Sequence, residues 1–282
     1  MILVFGKTGQ VATELQRLGD VVALGRDQAD LSNPAACADA IHTHAPLAVI
    51  NAAAYTAVDM AEEEEALATV INSDAPAVMA KSCVELGIPL IHISTDYVFE
   101  GTGDSPWEPH DRTAPQNAYG RSKLKGEIEI RDSGAVHAIL RTSWVVSAHG
   151  ANFVKTMLRM SDTQDTLKVV ADQIGGPTPA HDIAASCLKM AEQLIADASK
   201  SGTYHYSGAP DVSWADFARS IFDQAGRAVA VTPIPTKDYH TPAKRPLNSR
   251  MDCSAAQQVF GISRPNWSDG LNMILNEIGV TK

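Results

Sequence analysis

The 282-residue chain is long enough for one large domain or two smaller ones, and its 45% hydrophobic and 20% charged residues are ordinary for a soluble globular protein. Its formal net charge of -10, with no basic run, argues against nucleic acid as a partner. Four widely spaced cysteines predict neither a zinc site nor a disulfide framework, and no apolar run approaches the length of a membrane span. We therefore expect a cytoplasmic protein that does not bind membranes.

A strand, a glycine turn and a helix open the chain. The run Met1–Phe5 is short, continuous and apolar, as in a buried parallel strand, and the amphipathic segment after the turn ends near Gly19. Between them, small residues follow a Gly-x-x-Gly-x-x-Ala spacing that lets the backbone approach a pyrophosphate at a helix N-terminus. The alternative is an ordinary strand–helix turn without a ligand. The spacing favours a dinucleotide site built from Gly6, Lys7, Thr8, Gly9, Gln10 and Val11.

The end of the second predicted strand, 21–24, bears on the choice of cofactor. Folds that prefer NAD usually place an acid there to bind the ribose 2′-hydroxyl, whereas this chain has Arg26. Arg26, helped by Lys7, is able to hold a 2′-phosphate, which favours NADPH. Asp27 is close enough to leave NADH open, and Arg26 as an exposed loop cation is the simpler alternative.

Further strands are predicted at 47–51, 88–93 and 136–140, which continues the alternation of strand and helix. The acidic run at 62–65 is expected to be a solvated helix start. Asn72 is either an exposed polar residue or a residue that supports the backbone of the active site.

Two groups of residues near the strand ends are further candidates for cofactor contacts. The pair Asp30 and Leu31 precedes a helix start and is placed to lie against an adenine ring. Small residues after the third strand let a cofactor lie flat across the strand ends, and these are Ala52, Ala53 and Ala54.

The spacing of Tyr119 and Lys123 suggests a pair of residues for acid–base chemistry. On a helix, residues four apart share a face, so the ammonium is expected beside the phenol, where it lowers the pKa of the phenol. Thr95 follows the fourth strand at the same sheet edge as the glycine turn, and its hydroxyl is placed to hydrogen-bond a carbonyl that exchanges a proton with Tyr119. A surface helix with a solvated Lys has the same spacing. Together with a dinucleotide site upstream, the three residues predict reduction of a ketone by hydride from a nicotinamide.

After about residue 147 the regular alternation weakens. We predict a Rossmann-type α/β fold whose doubly wound parallel sheet, the NADP(H)-binding domain, comes from residues 1–147 and 178–209. A smaller interleaved C-terminal lobe, from residues 148–177 and 210–282, is predicted to bind the substrate. The cationic cluster around Arg245 in this lobe is either a surface loop or a clamp on a phosphorylated substrate.

Six motifs together resemble the dTDP-4-dehydrorhamnose reductase family of the extended short-chain dehydrogenases/reductases. The resemblance covers essentially the whole chain and rests on Gly6-Lys-Thr-Gly-Gln-Val11, Asn51-Ala-Ala-Ala-Tyr-Thr-Ala-Val-Asp59, Ser94-Thr-Asp-Tyr-Val-Phe99, Tyr119-Gly-Arg-Ser-Lys123, Arg141-Thr-Ser-Trp144 and Arg245-Pro-Leu-Asn-Ser249.

The resemblance implies hydride delivery to C4 of dTDP-4-dehydro-L-rhamnose, a small-molecule nucleotide-sugar substrate. It implies that Tyr119 is the proton donor, that Lys123 lowers the pKa of Tyr119 and binds the ribose, and that Thr95 donates to the carbonyl. It also implies that Asp96, Tyr97 and Trp144 contact the sugar.

The chain departs from the family pattern in two places. Ala12 replaces the third glycine of the fingerprint, a small-for-small change expected to be harmless. The family is able to carry a Mg²⁺-linked dimer interface, and Glu14 stands where one acid is expected. The later stretch Pro179-Ala-His181-Asp182 matches that interface poorly, so Mg²⁺ and the choice between monomer and homodimer stay open.

Three other functions share parts of this pattern. Sugar-nucleotide dehydratases need an acid pair after the Thr, and this chain has Asp96 followed by Tyr97. Epimerases of the same fold keep the Tyr-x-x-x-Lys spacing but regenerate their cofactor. The regulatory subunit of methionine adenosyltransferase is similar but is a binding module, and the complete Thr95, Tyr119 and Lys123 set argues against it.

Overall fold

The computed structural model describes residues 1–280. Its strands are β1 (Ile2–Phe5), β2 (Val21–Leu24), β3 (Ala48–Asn51), β4 (Leu90–Thr95), β5 (His137–Thr142), β6 (Val145–Val146), β7 (Thr166–Val170), β8 (Ile174–Gly175), β9 (Thr178–Pro179), β10 (Gly202–His205), β11 (Val212–Ser213), β12 (Ala230–Ile234) and β13 (Asn248–Ser249). Its α-helices are α1 (Gln10–Leu18), α2 (Pro34–His44), α3 (Glu65–Thr69), α4 (Ala75–Leu86), α5 (Ala118–Asp132), α6 (Phe153–Ser161), α7 (Ala180–Ala196), α8 (Trp214–Gln224), α9 (Ser254–Phe260) and α10 (Trp267–Glu277). Among the described residues, no helix combines the length and the apolar character needed to cross a bilayer.

Six parallel strands form the central sheet in the order β10-β5-β4-β3-β1-β2. Because β1 pairs with both β2 and β3, the chain order reverses beside β1. Open α/β sheets bind ligands beyond the carboxyl ends of their strands at such a reversal. The Rossmann-type parallel sheet predicted from the sequence is thus confirmed, and it places the glycine turn at the expected edge.

Both faces of this sheet are covered by helices. Val4 belongs to a core on one face, with Leu15 of α1 and Ile183 of α7. Leu3 and Phe5 point to the other face and belong to a core shared with α2, α4 and α5. The strand period of two therefore explains why β1 is apolar throughout.

A third core lies in the C-terminal half, where α6, α8 and α10 pack with β7 and β12. The helix α9 packs instead on the large sheet through Ala256 and Phe260. The division into residues 1–147 with 178–209 and 148–177 with 210–282 stays a prediction.

The fourth strand lies two residues later than the sequence pattern indicates, at Leu90–Thr95 rather than 88–93. Gly87 ends α4 in the left-handed conformation, and the Ile88 N–H donates back to the Cys83 carbonyl at 3.0 Å. Pro89 has no N–H, so the pairing with β5 begins at Leu90. Thr95 is therefore the last residue of the strand and is held by its ladder.

Candidate active site

The glycine turn joins β1 to α1 at the carboxyl edge of the sheet. Gly6 has φ +107°, and a Cβ there would lie 3.2 Å from the Ala52 carbonyl oxygen, so the turn requires glycine. At Gly9 a Cβ would meet nothing within 4 Å, which leaves open space before the first turn of α1. Ala12 is fully buried, and its methyl group packs 3.4 Å from the position of a Cβ on Gly6. The turn has the shape of a phosphate site at a helix N-terminus.

A cavity of about 1010 Å³ extends from this turn across the strand ends. It has room for a dinucleotide and part of a second ligand. Its walls include every residue that the sequence predicts to bind a cofactor, namely Gly6, Lys7, Thr8, Gly9, Gln10, Val11, Arg26, Asp30, Leu31, Ala52, Ala53, Ala54, Tyr119 and Lys123. Thr95, Asp96, Tyr97 and Trp144 line the same cavity.

Thr95 is tied to the turn that follows it. Its Oγ1 accepts the Tyr97 N–H at 3.2 Å and donates to Asp96 Oδ1 at 3.1 Å. Asp96 is buried and also accepts from Ser249 Oγ at 2.5 Å. Burial raises the pKa of Asp96 to about 6, against the opposing hydrogen bonds from Ser249 and Thr95. Donation from Thr95 to a substrate carbonyl therefore requires its hydroxyl to turn away from Asp96.

Tyr119 lies in the first turn of α5, which begins at a side-chain cap. Asn117 Oδ1 accepts the Gly120 N–H at 2.8 Å and fixes where the helix starts. The Tyr119 ring meets the Tyr97 ring edge-on, with centroids 5.6 Å apart. Burial raises the pKa of the phenol, a hydrogen bond with Thr95 lowers it, and Asp96 and Tyr97 raise it. The phenol keeps its proton at neutral pH and is suited to donate it.

Lys123 lies one turn further along α5 and is buried. Its Nζ donates to the Ile93 carbonyl at 2.7 Å and lies 3.0 Å from His92 Nε2. Burial lowers the pKa of Lys123 to about 8, while Glu127 opposes the change. The Lys123 amine is thus hydrogen-bonded to β4, because a buried amine needs polar partners and that strand supplies them. Its place beside the phenol stays a prediction.

His92 is a site residue that the sequence analysis missed. It faces α5 together with Ser94, which donates to Glu127 Oε1 at 2.6 Å. The period-two alternation of β4, counted back from the strand end, is the signal that would have found it.

A buried ion pair locks α5 onto the sheet. Arg141 of β5 donates to Glu127 through Nη2 at 2.6 Å and through Nε at 2.9 Å. Burial raises the pKa of Glu127, but Arg141 and Ser94 outweigh that effect, so its pKa is lowered. Since Glu127 lies one turn beyond Lys123, this pair fixes the height of Lys123 against β4.

The acidic run at 62–65 is the partly exposed start of α3, as expected, and it also contacts α5. Glu62 Oε1 accepts the Ala118 N–H at 2.7 Å at the start of α5, and Glu65 accepts Arg121 Nε at 2.7 Å. Carboxylates at the N-terminus of a neighbouring helix are favoured by the helix dipole. The run therefore holds α5 in place.

Asn72 supports the backbone near the site and is not an exposed polar residue, the other alternative that the sequence left open. It is 1% exposed and lies in a π-helical turn, Val70–Asp74. Its Oδ1 accepts the Tyr55 N–H at 2.8 Å, and its Nδ2 donates to Ser122 Oγ at 3.0 Å. Asn72 thereby links the segment after β3 to α5.

Trp144 follows β5 and lies half-buried at the cavity. It has φ +48°, an uncommon value for a residue other than glycine, and its ring stacks on Trp214 with centroids 3.5 Å apart. The stack joins the end of the sheet to α8 of the C-terminal lobe and presents an aromatic wall.

Arg245 lies outside the cavity walls. Its Nη2 pairs with Asp59 Oδ2 at 2.6 Å, and it approaches Tyr97, whose pKa it lowers while burial raises that pKa to about 12. Substrate binding by Arg245 stays a prediction, and its observed contacts connect the C-terminal lobe to the site through Tyr97.

Glu14, His149 and Glu277 bring three ligand atoms within 4.8 Å of one another. Glu14 Oε1 already accepts from His149 Nε2 at 2.9 Å and from Arg17 Nη1 at 3.3 Å, and Arg17 also pairs with Glu277 at 2.7 Å. Mg²⁺ prefers oxygen ligands, and the carboxylate oxygens that it would need already accept hydrogen bonds from the guanidinium and the imidazole. The residues present do not fit Mg²⁺.

The glycine turn, the parallel sheet and the Thr-Tyr-Lys set define a dinucleotide-binding oxidoreductase of the short-chain dehydrogenase/reductase type. A family profile described as "RmlD substrate binding domain" matches residues 1–280. The chain is 42% identical over 284 residues to a dTDP-4-dehydrorhamnose reductase of Sinorhizobium fredii, covering 97% of this chain and 96% of the relative. It is 41% identical over 295 residues to the same enzyme of Escherichia coli K12, covering 99% and 98%. The chain belongs to the dTDP-4-dehydrorhamnose reductase family.

Solved structures agree with this assignment. A dTDP-4-dehydrorhamnose reductase from Clostridium acetobutylicum superposes with a TM-score of 0.92 at 36% identity, covering 99% of both chains. The Bacillus anthracis enzyme in complex with NADP gives a TM-score of 0.90 at 34% identity, covering 98% of both chains. A UDP-glucose 4-epimerase from Brucella ovis in complex with NAD gives 0.80 at 19% identity, which reflects the shared fold alone.

Proposed function

We propose that this protein reduces the C4 ketone of dTDP-4-dehydro-L-rhamnose to dTDP-L-rhamnose, with NADPH as the cofactor and Tyr119 as the proton donor. The observation that carries the proposal is that Tyr119, Thr95 and Lys123 share one cavity with the glycine turn. The printed names of the relatives supply the substrate.

Each of the three residues has a separate role in the reduction. When bound, the dihydronicotinamide supplies a hydride to C4. Tyr119, protonated at neutral pH because of its raised pKa, gives its proton to the carbonyl oxygen. Thr95 turns from Asp96 to the same oxygen and stabilises the charge that develops there. Lys123 then stabilises the phenolate form of Tyr119 until Tyr119 recovers a proton from solvent.

The Trp144 ring, which stacks on Trp214, and the Tyr97 ring line the cavity with flat, half-polar surfaces of the kind that hold a sugar. Asp96 adds a buried acceptor for a sugar hydroxyl. These contacts support a pyranose in the part of the cavity near Tyr119.

An assay of the purified protein tests the reaction. With dTDP-4-dehydro-L-rhamnose and NADPH, we expect one NADPH oxidised for each dTDP-L-rhamnose formed, measured by absorbance and by chromatography of the nucleotide sugar. Product without net cofactor oxidation would indicate an epimerase. No turnover in the absence of a protein partner would indicate a binding module. Either result would refute the proposal.

The preference for NADPH is tested separately at Arg26, an exposed cation on the cavity wall. Arg26→Ala should lower kcat/KM for NADPH about 10- to 100-fold, the value of a lost hydrogen bond to a charged group, and leave kcat/KM for NADH within about threefold. Lys81→Ala removes an exposed cation that does not line the cavity and serves as the control. Equal losses with both cofactors would show that Arg26 does not recognise the 2′-phosphate.

A further inference from the structure

The segment from Ser147 to Asn152, called the clasp segment below, leads from β6 to α6 and passes beside the glycine turn. Its tip, formed by Gly150 and Ala151, is exposed and lines the same cavity as the turn. A Cβ on Gly150 would lie 3.5 Å from Gln10 Cγ, which places the tip against the first residue of α1. The glycine turn and this tip are therefore neighbours in the wall of the cofactor cavity.

The Gln10 side chain binds the clasp segment at both of its ends. Gln10 Oε1 accepts from Ser147 Oγ at 2.9 Å and from Asn152 Nδ2 at 2.9 Å. Ser147 is 2% exposed and Asn152 is half-buried, so these two hydrogen bonds are largely shielded from water. An amide oxygen has two lone pairs, and the clasp segment uses both of them. The residue that starts the helix at the phosphate turn is thus fastened to the segment.

Two further contacts follow the same face of α1. Glu14, one turn after Gln10, has its Oε1 2.9 Å from His149 Nε2, and Arg17 Nη1 lies 3.2 Å from the same ring nitrogen. Residues 10, 14 and 17 have the spacing i, i+4, i+7, which puts their side chains on one face of the helix. The clasp segment therefore has a defined position along α1, the helix whose N-terminus faces the phosphate site.

Asn152 joins the clasp segment to the helix that follows it. Besides Gln10, its Nδ2 reaches the Ser147 carbonyl at 2.8 Å, which closes the segment into a loop. Its Oδ1 accepts the Lys155 N–H at 3.2 Å as the N-cap of α6. At the other end of the segment, β6 pairs with β9. The ends of the segment are thus held by regular structure, and the hydrogen bonds with Gln10 hold its middle beside the cavity.

We propose that the clasp segment retains the cofactor at the glycine turn, and that Ser147 and Asn152 are positioning residues that act through Gln10. A pyrophosphate bound at the N-terminus of α1 lies beside the tip of the segment, so its release is slowed while Gln10 holds the segment in place. The proposal rests on the proposed function only in taking NADPH as the cofactor. A purely structural role of the segment would leave the rate of cofactor release unchanged.

Asn152→Ser separates the two roles of Asn152. Serine is about as good an N-cap as asparagine, so α6 keeps its start, but the shorter side chain does not reach Gln10. Stopped-flow fluorescence, with NADPH displaced by excess NADP⁺, should show a dissociation rate constant about 10-fold above that of the wild type and an association rate constant within about threefold. Asn266→Ser, the same change at the N-cap of α10 outside the cavity walls, is the control and should alter neither rate constant. An unchanged dissociation rate constant in Asn152→Ser would refute the proposal.

A double-variant comparison tests whether Asn152 acts through Gln10. In a protein that already carries Gln10→Leu, Asn152→Ser should raise the NADPH dissociation rate constant by less than about twofold, because its partner is missing. An equal effect of Asn152→Ser with and without Gln10 would mean that Asn152 acts through the loop or α6 alone, and the clasp would be refuted. These measurements contain no nucleotide sugar, so failure of the clasp is distinct from failure of the proposed reduction.

Discussion

At the scale of single residues, the site shifts the pKa values of its acids and bases away from their ordinary values. Burial raises the pKa of Tyr119 and of Asp96, and it lowers that of Lys123. Each shift favours the uncharged form, because a buried charge is costly without a partner. The resting site therefore stores a proton on the phenol next to Thr95, where a carbonyl oxygen would need it.

Replacement of Tyr119 by Phe removes that proton. We expect Tyr119→Phe to lower kcat by about 10²- to 10⁴-fold while the Kd for NADPH, measured by fluorescence titration, changes little. Tyr55→Phe, which removes a phenol that donates to Glu64, is the matched control and should lower kcat far less. An unchanged kcat in Tyr119→Phe would exclude the phenol as the acid.

The ionisation of Asp96 should appear in the pH dependence of stability. Its pKa of about 6 in the folded protein lies above the ordinary value of 3.8, so the folded state binds the extra proton between these pH values. Ionisation of buried Asp96 lowers the free energy of unfolding, and this loss is absent below about pH 4 and complete above about pH 6. Asp96→Asn avoids that loss, so its free energy of unfolding relative to wild type should rise by about 2–3 kcal/mol from pH 4 to pH 7.

Urea denaturation at both pH values measures this difference. Asp104→Asn, in an exposed loop, is the control for the same chemical change. A relative stability of Asp96→Asn that falls or stays constant as pH rises would contradict the shifted pKa.

At the scale of elements, the placement of α5 decides whether the site exists. The helix is held by the Asn117 cap, the Glu127–Arg141 pair and close backbone contact with the π-helical turn at Val70–Asp74. A Cβ at Gly126 would lie 2.1 Å from the Asn72 carbonyl oxygen, and one at Gly120 would lie 2.2 Å from the Tyr97 carbonyl oxygen. Glycine at these two points allows the helix to approach close enough for Tyr119 to reach Thr95.

Gly126→Ala should push α5 away from that turn. We expect a loss of about 1–3 kcal/mol in the free energy of unfolding, the usual cost of overpacking, together with a lower kcat. Ile128→Ala, at an exposed position of the same helix, should leave kcat unchanged. A Gly126→Ala protein with wild-type stability would show that the contact is not tight.

At the scale of the whole molecule, residues 243–249 join the C-terminal lobe to the cavity. Arg245 pairs with Asp59, Ser249 donates to Asp96, and the Lys244 carbonyl accepts from Asn117. The lobe thus contacts two segments, one with the predicted substrate-binding residues and one at the start of α5. Under the proposed function, nucleotide-sugar binding would depend on the lobe while the chemistry stays on the sheet.

Arg245→Ala tests that division. We expect KM for the nucleotide sugar to rise about 10-fold, equivalent to about 1.4 kcal/mol, with kcat and the KM for NADPH nearly unchanged. Lys237→Ala removes an exposed cation from the same lobe and is the control. A fall in kcat at constant KM would place Arg245 in the chemical step instead.

The sequence predicts the fold class well, because the strand–glycine turn–helix pattern and the apolar strands each have a local physical signature. It also indicates which residues meet in the cavity, since carboxyl ends of parallel strands share one edge. It does not reveal the partner of Lys123, because His92 looks like any strand residue until β4 and α5 are docked. The contacts of Glu62 and Arg245 were likewise hidden, since both join segments far apart in sequence.

The proposed function depends on transfer of hydrogen from the nicotinamide to C4 of the sugar. With NADPH deuterated at C4 of the nicotinamide on the transferred face, the product dTDP-L-rhamnose should carry one deuterium at C4 of the sugar, observed by ¹H NMR and mass spectrometry. Deuterium elsewhere in the sugar, or an unlabelled product, would contradict direct reduction of that ketone.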